Sequence, residues 1–276
     1  MSKPTSRLAL AGLLATLAPA AAFGTTYAKH LNVDDMMAAS ESVVRGEVIA
    51  TEGRWTDGGL IETVVTVEVD DVYAGNTGDT IQVVAPGGTV DGVTLGIQGT
   101  AEFEVGDDVV VFADGRQIVG FGQGAFLVDG DQQATRSMGN AVPDFPVSLD
   151  LDRAFGQPAQ AETCLETRVD ATYSDGWQLR GATDTRVGRE DVALWRVNLL
   201  GGMEYRLDAC ADGLLSDARL ILTDESGTPL AWAEPGLQPS VTFEPEATGI
   251  YFVGLYAEDL PEGVWRGAAA ISILYR

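Results

Sequence analysis

The sequence predicts an all-β protein of two domains, the first a small closed barrel or sandwich with one short helix and the second a β-sandwich. Short apolar runs, many alternating with polar residues, recur along the whole chain. In the second half, glycine-containing turn signals separate these runs at intervals of about 8–12 residues, as in β-sandwiches. The 276 residues include 33 glycines and are 45% hydrophobic. Because no long helix-forming stretch dominates them, strands and turns are favoured.

The first 24 residues have the pattern of a secretion signal. Lys3 and Arg7 precede an apolar run over 8–22, which a proline and small residues end before it is long enough to span a bilayer. Two cleavage positions fit, after Ala22 or after Gly24. No cysteine adjoins either position, which argues against a lipid anchor, and no later apolar run reaches ~18 residues. We therefore expect a periplasmic or extracellular protein without a membrane span.

The chain is strongly acidic. It carries 17 basic and 41 acidic side chains, a formal charge of −24. Nucleic acid is excluded as an expected partner, because binding phosphates requires clustered Lys and Arg. The acidic excess is typical of a solvated surface, and adaptation to a saline exterior is the alternative.

The first predicted domain covers 32–137. Asn32 is placed to cap a short helix whose first turn contains two aspartates, and this helix should end near Ser42. An Asp-Gly pair at 114–115, between apolar runs, predicts a hairpin. The predicted strands cover 43–51, 60–73, 80–85, 101–105, 109–113, 116–121 and 125–128.

A linker is predicted over 138–163, because this segment has no clear period and contains three prolines. We expect its apolar residues, Phe145, Leu149, Leu151 and Phe155, to lie against one of the domains. The second domain covers 164–276. Its predicted strands are 192–199, 204–210, 218–223, 229–233, 240–243, 249–256 and 267–275.

The two cysteines, Cys164 and Cys210, are expected to form a disulfide. An even number of cysteines in an exported chain favours a bridge over free thiols. Their spacing is not that of a C-x-x-C redox or zinc site, so a catalytic thiol is not expected.

Several segments of the second half carry motifs of a known family: 190–199, 202–207, 216–231, 239–243 and 247–253. They include a D-x-x-G turn that begins at Asp224 and an A-T-G-x-Y element that ends at Tyr251. On these residues the second half resembles the bacterial pre-peptidase C-terminal (PPC) domain. The resemblance implies a jelly-roll-like β-sandwich, without catalytic activity, that helps export or binds polymers such as matrix protein or polysaccharide. Some relatives bind calcium, but Ala193 stands where they often carry an acid.

The first half resembles, more loosely, an exported OB-like domain of uncharacterised bacterial proteins. The residues that carry this resemblance are 39–48, Arg54, Trp55, 84–89, 103–112 and 119–126. It implies an OB-like small barrel, and no activity transfers with it.

The residues offer little for catalysis. His30 is the only histidine, and it precedes the first element of the fold, so neither a catalytic triad nor a zinc hydrolase is expected. Acidic doublets such as those at 70–71, 107–108 and 190–191 point to opposite faces of a strand and do not converge. We expect no cofactor and no metal. Calcium at an acidic loop such as 129–131 is the alternative.

Candidate binding residues are aromatic or lie near loops. In the first domain Arg54, Trp55, Phe121 and Gln123 could line a groove of the barrel, with core packing and turn geometry as the alternative. In the second domain Trp177, Trp232 and Trp265 could stack on sugars, whereas Trp195, inside an apolar strand, is expected in the core.

These observations predict an exported, non-catalytic binding or accessory protein that binds a polysaccharide or an extracellular protein. One alternative is a hydrolase that uses carboxylates in an inter-domain cleft. The other is a secreted peptidase inhibitor, which requires a protruding rigid loop such as 86–99.

Overall fold

The computed structural model describes residues 30–130, 132–137, 148–189 and 191–276. The predicted signal segment 1–24 and Phe145 lie outside these residues. Strands make up 51% of the structure and helices 12%. The all-β prediction is therefore confirmed.

A closed five-stranded barrel forms the centre of the first domain. The domain contains α1 (Val33–Ala39), β1 (Ser42–Trp55), β2 (Ile61–Ala74), β3 (Thr80–Pro86), β4 (Gly88–Val90), β5 (Val93–Leu95), β6 (Asp108–Asp114), β7 (Gln117–Ile118), β8 (Ala125–Val128), β9 (Gln133–Arg136) and β10 (Ser148–Asp150). The barrel closes in the order β1-β2-β3-β7-β6 and back to β1. Only the β3–β7 pair in this circuit is parallel. Together with α1, this circuit is the OB-like barrel with one short helix.

Strand β6 is buried on both faces, which explains its continuous apolar sequence. Val109 and Val111 face the barrel interior, whereas Val110 and Phe112 face a second apolar cluster that includes Met36 of α1. Strands β8, β9 and β10 continue the sheet outward from β6. As predicted, the Asn32 side chain caps α1 by accepting the Asp35 N–H at 2.7 Å.

Two predicted strands of the first domain are wrong. Segment 101–105 forms no strand, and the strand predicted over 116–121 shrinks to the two residues of β7. The chain turns at Gly120 and Phe121, where φ is 64° and 73°. An apolar sequence predicted pairing here, but this left-handed backbone ends the ladder.

The second domain is an eight-stranded jelly roll. Its strands are β11 (Gln178–Gly188), β12 (Val192–Leu199), β13 (Tyr205–Ala211), β14 (Arg219–Asp224), β15 (Pro229–Trp232), β16 (Ser240–Phe243), β17 (Gly249–Tyr256) and β18 (Arg266–Tyr275). The first sheet has the order β11-β18-β13-β16, and the second sheet has the order β12-β17-β14-β15. The core between them is rich in leucine and includes Tyr251 and Val253. Strand β11 was not predicted, because most of its side chains are exposed and do not alternate.

The described part of the segment predicted as a linker, 148–163, has regular structure. It contains β10, α2 (Leu151–Phe155) and the first turns of α3 (Pro158–Tyr173). The expected packing of Leu149, Leu151 and Phe155 is confirmed, since all three are buried in the cluster beside the barrel. Helix α3 continues across residue 164, where the second domain is predicted to begin. The exact domain boundaries stay predictions.

Helix α3 covers the outer face of the first sheet. Its residues Ala161, Leu165 and Val169, four apart and therefore on one side of the helix, are buried against Ala270 and Leu274 of β18. The predicted disulfide is confirmed: Cys164 of α3 is bonded to Cys210 of β13, with a Cα–Cα distance of 5.9 Å. The bridge thus ties the helix to the sheet that it covers.

The halves of the chain meet at an aromatic junction. Tyr73 of β2 stacks on Phe155 of α2 with ring centroids 4.1 Å apart. Arg186 of β11 donates to Asp71 at 2.8 Å and to the Phe155 carbonyl at 3.1 Å. Trp265 packs against the same Phe155 ring. The barrel and the jelly roll therefore share buried side chains.

We predict that removing the disulfide loosens the second domain. Replacing both Cys164 and Cys210 by serine should lower the free energy of unfolding by about 4 kcal/mol, because the bridge joins residues 46 apart and restricts the unfolded chain. Urea denaturation followed by circular dichroism measures this difference. Unfolding the wild-type chain in the presence of a reductant should give the same decrease in stability. An unchanged urea midpoint in the double serine variant would contradict the prediction.

We also predict a stability change at alkaline pH that originates at Tyr73. Burial, followed by the charge of Asp71, raises the pKa of the Tyr73 phenol to about 12, from about 10 in an unfolded chain. Between pH 10 and 12 the Tyr73 phenol ionises in the unfolded chain but stays protonated in the folded one. Its contribution to the free energy of unfolding is therefore complete below pH 10 and is lost as the pH rises through 12. The expected loss is about 2–3 kcal/mol.

Urea denaturation across this pH range should show the loss in the wild-type chain. It should be smaller in Tyr73→Phe, which has no phenol to ionise at the junction. The exposed Tyr173→Phe serves as the matched control and should behave like the wild type. Equal pH dependence in all three chains would contradict the prediction.

Candidate functional site

The outer face of the second sheet presents a row of apolar side chains across all four strands. The antiparallel register places Leu194 of β12 opposite Gly254, Gly254 opposite Ile221, and Ile221 opposite Trp232 of β15. Because side chains alternate along each strand, these positions lie on the face away from the core. We use the name sheet-face patch for six apolar side chains of this face: Val192, Leu194, Ile221, Leu230, Trp232 and Phe252.

Gly254, in the middle of the row, has no side chain, so the neighbouring side chains can pack directly over its backbone. A Cβ atom on Gly254 would lie 2.9 Å from Ile221 Cγ2, 3.6 Å from Val192 Cγ1 and 3.8 Å from Leu194 Cδ1. These three side chains therefore converge above the glycine backbone. The result is a continuous apolar surface instead of isolated side chains.

Much of this surface is exposed to solvent. The exposed fractions are 57% for Val192, 60% for Leu194 and 67% for Trp232. Single exposed apolar residues are ordinary, but a contiguous exposed group marks an interaction site. The outer face of the first sheet, by contrast, is covered by α3.

The outward-facing charges on these four strands are arginines. Arg196 of β12 lies opposite Phe252, and Arg219 of β14 lies opposite Tyr256. Arg219 is paired with Glu258 at 2.9 Å. In a chain with 41 acidic and 17 basic side chains, an apolar surface flanked by arginine differs from the average surface.

The three tryptophans proposed in the second domain have different environments. Trp177 is 5% exposed and lies in the cluster beneath α3, with the Arg276 guanidinium 4.4 Å from its ring centre. The Trp265 indole N–H donates to Asp34 at 2.8 Å, at the junction of the halves. Trp232 lies in the sheet-face patch. Trp195 packs against the jelly-roll core, as expected.

The four residues proposed in the first domain do not form one groove. Arg54 pairs with Glu62 beside the exposed Trp55, at the turn end of the β1–β2 hairpin. Gln123 is buried, and its side-chain oxygen accepts the Leu31 N–H at 2.9 Å. Phe121 lies in the turn just before Gln123. A cavity of about 650 Å³ at the barrel mouth is lined by none of the four, but by Thr63, 85–88 and 95–103.

The carboxylates are engaged in structural contacts. In the acidic doublets, Asp71 pairs with Arg186, and Asp108 accepts two hydrogen bonds from Arg45, at 3.0 and 2.7 Å. Asp191 pairs with Arg266. One acid of each doublet thus makes a contact that stabilises the fold.

A cavity of about 460 Å³ lies where an inter-domain hydrolase site is predicted, and its lining includes Asp150, Asp152 and Asp212. Asp212 is buried and accepts the N–H groups of Gln157, Leu214 and Ala268 at 2.8–3.0 Å. Asp150 caps α2 by accepting the Arg153 N–H. The geometry thus supports structural roles for these two acids.

Two further findings concern metals and membranes. Across the described ranges, no three His, Cys, Asp or Glu side chains are grouped to hold a metal ion. None of the helices in that part of the chain combines the length and apolar content needed to cross a bilayer.

The fold and the site define an all-β protein with a small barrel, a jelly roll and an uncovered apolar sheet face. No protein-family model and no curated protein matches the chain. Among solved structures it is similar to the pre-peptidase C-terminal domain of a collagenase from Bacillus anthracis, with a TM-score of 0.29, 16% identity, and coverage of 34% of this chain and 89% of that one.

It is also similar to PliG of Aeromonas hydrophila, a periplasmic inhibitor of g-type lysozyme, with a TM-score of 0.28, 10% identity, and coverage of 35% of this chain and 85% of that one. At such TM-scores neither likeness carries an argument about this chain. Membership of the PPC family stays a prediction.

We predict that Trp232 is the tryptophan most accessible to a soluble quencher, because 67% of it is exposed against 48% of Trp55 and 5% of Trp177. Trp232→Phe should remove the largest share of iodide-quenchable fluorescence. Trp55→Phe should remove a smaller share, and Trp177→Phe none. Stern–Volmer plots of the three variants measure these shares. An unchanged quenchable fraction in Trp232→Phe would show that the patch is covered.

Proposed function

We propose that this chain is an exported, non-catalytic binding protein that takes a partner protein on the sheet-face patch. The observation that carries the proposal is the apolar cross-strand row from Leu194 to Trp232, whose two ends are exposed although the protein is strongly acidic. Burying such a row against a partner removes apolar area from water, which is the main favourable term in protein association.

The composition of the patch favours a protein partner. The central parts of protein interfaces are poor in acidic residues and rich in aromatic residues and arginine, with tryptophan and arginine prominent among hot spots. Trp232 and Arg196 fit this description, and the aliphatic side chains beside them form a flat apolar surface. A polysaccharide, which stacks on aromatic rings, would use only part of this surface.

Export is supported by two features. The chain begins with a pattern typical of a secretion signal, and the Cys164–Cys210 disulfide is of the kind that persists in oxidising compartments. A place in the periplasm or outside the cell is consistent with both. An accessory role beside another exported protein is what the PPC resemblance implies.

The two alternatives have weaker support. The hydrolase requires two free carboxylates, and Asp212 and Asp150 in the junction cavity are engaged by backbone N–H groups. The inhibitor requires a protruding loop, whereas the β4–β5 hairpin packs against the barrel. A Cβ on Gly53 of β1, for example, would clash with the Thr89 carbonyl oxygen of β4.

We predict that Trp232→Ala weakens partner binding at least tenfold, which corresponds to ~1.4 kcal/mol or more for the loss of a hot-spot side chain. The protein, immobilised, is used to capture partners from the exported fraction of the cells that produce it. The interaction is then measured with the purified partner by calorimetry. Trp55→Ala, an exposed tryptophan on the other domain, is the matched control and should bind as the wild type does.

A partner that binds Trp232→Ala as tightly as the wild type would contradict the proposal. Co-sedimentation with cellulose, chitin and peptidoglycan tests the polysaccharide alternative. If sedimentation with one of these is lost in Trp232→Ala but kept in Trp55→Ala, the patch binds polysaccharide instead of protein.

A further inference from the structure

The edge of the second sheet indicates how a partner would be held. We propose that a partner adds an extended segment to β12 as an antiparallel strand, with an acidic residue opposite Arg196 and apolar residues opposite Leu194 and Val192. This inference rests on the proposed function, because the added strand extends the sheet-face patch. It goes further by naming the chemistry of the partner segment.

Strand β12 differs from the other three edge strands of the jelly roll. Strands β15 and β16 have four residues each, and β15 begins with Pro229 and has an irregular register with β14. Strand β11 has a register shift after Leu179 and carries several charged side chains. Short length, proline, bulges and charges are the features by which natural edges avoid pairing with other chains.

Strand β12 has almost none of these protective features. It pairs with β17 in continuous register over all eight residues, Val192 to Leu199. It contains no proline and no glycine, and Arg196 is its only charged residue. A long, regular, apolar edge of this kind is a template for strand addition.

The outer edge of β12 has free backbone groups. In an antiparallel pair, only part of the N–H and C=O groups of a strand point to its neighbour, and the rest point to the opposite side. Throughout the described chain, the hydrogen bonds of β12 residues are those of its ladder with β17. An added strand would pair with the groups on the other side.

Both faces of β12 would gain from the addition. The inward-facing Ala193, Trp195 and Val197 are only half-buried against the jelly-roll core, because no strand lies beyond them in the sheet. The outward-facing Val192 and Leu194 belong to the sheet-face patch. An added strand would cover apolar area on both sides of the sheet.

Arg196 sets the charge of the partner segment. No ion pair or hydrogen bond engages its side chain within the described residues, and its neighbour across the ladder is Phe252. Opposite charges on adjacent strands stabilise the pair. Because the added strand runs antiparallel, the partner motif from its N-terminus is acid-x-apolar-x-apolar.

A second copy of this chain fits less well. Pairing of two β12 strands would bring no acid to Arg196, since the strand has none. It would also bring together two chains of formal charge −24 each. A segment of another protein with one acidic residue can pair with Arg196 and with the free backbone groups of β12 without the repulsion between two such acidic chains.

The test uses the full chain and three synthetic peptides, measured by calorimetry. TETVTVT carries the proposed motif, and TKTVTVT reverses its charge. The third peptide is TETVTVT with alternate backbone nitrogens methylated on the pairing edge, which removes N–H donors and keeps every side chain. We expect the wild type to bind TETVTVT at least tenfold more tightly than either of the others.

Arg196→Glu should exchange the preference of the protein between TETVTVT and TKTVTVT. Arg116→Glu, on the barrel, is the matched charge-reversal control and should leave the preference unchanged. Circular dichroism and melting confirm that both variants are folded.

Equal binding of the methylated peptide, unchanged preference in Arg196→Glu, or no binding of TETVTVT would each overturn strand addition. So would a wild-type dimer that the peptide dissociates, since the edge would then belong to a second copy. If Trp232→Ala abolishes capture of the partner while these peptide tests fail, the proposed function stands and strand addition is wrong.

Discussion

Helix α3 lies on the first sheet of the jelly roll and is held there by the Cys164–Cys210 bond. A jelly roll has two outer faces, and each sheet buries only its inner side chains in the sandwich core. The disulfide and the packing of Leu165 and Val169 assign the only long helix of the described chain to one of these faces. The sheet-face patch remains open because the helix is tied to the opposite side of the domain.

The aromatic junction gives the barrel a fixed position against the jelly roll. Phe155 is completely buried between Tyr73 of the barrel and Trp265 of the second domain. Arg186 lies over the Tyr73 ring at 5.1 Å and pairs with Asp71. Since these groups belong to both halves, the open face has a defined orientation relative to the barrel. The sheet-face patch therefore belongs to a molecule whose two domains are packed together.

Several acidic residues serve as acceptors for arginine and for the backbone. Asp208, fully buried, pairs with Arg168 of α3 and Arg206 of β13. At Asp224, hydrogen bonds from the Ser226 hydroxyl and the Thr228 N–H lower the pKa of the carboxyl and hold the turn after β14. Both acids thus stabilise the second domain.

Local patterns in the sequence determined most of the strands, the cap of α1 and the pairing of the two cysteines. Alternation of apolar residues and the chemistry of turns act within a few residues, so the sequence displays them directly. Helix α3 was missed because its buried side is narrow and begins with Ala161, and because prolines nearby favoured a linker. The same local patterns did not separate Trp232 from Trp177 and Trp265. Their exposure is decided only in the tertiary structure, since it depends on which surface α3 and the junction cover, and residues distant in the chain make those contacts.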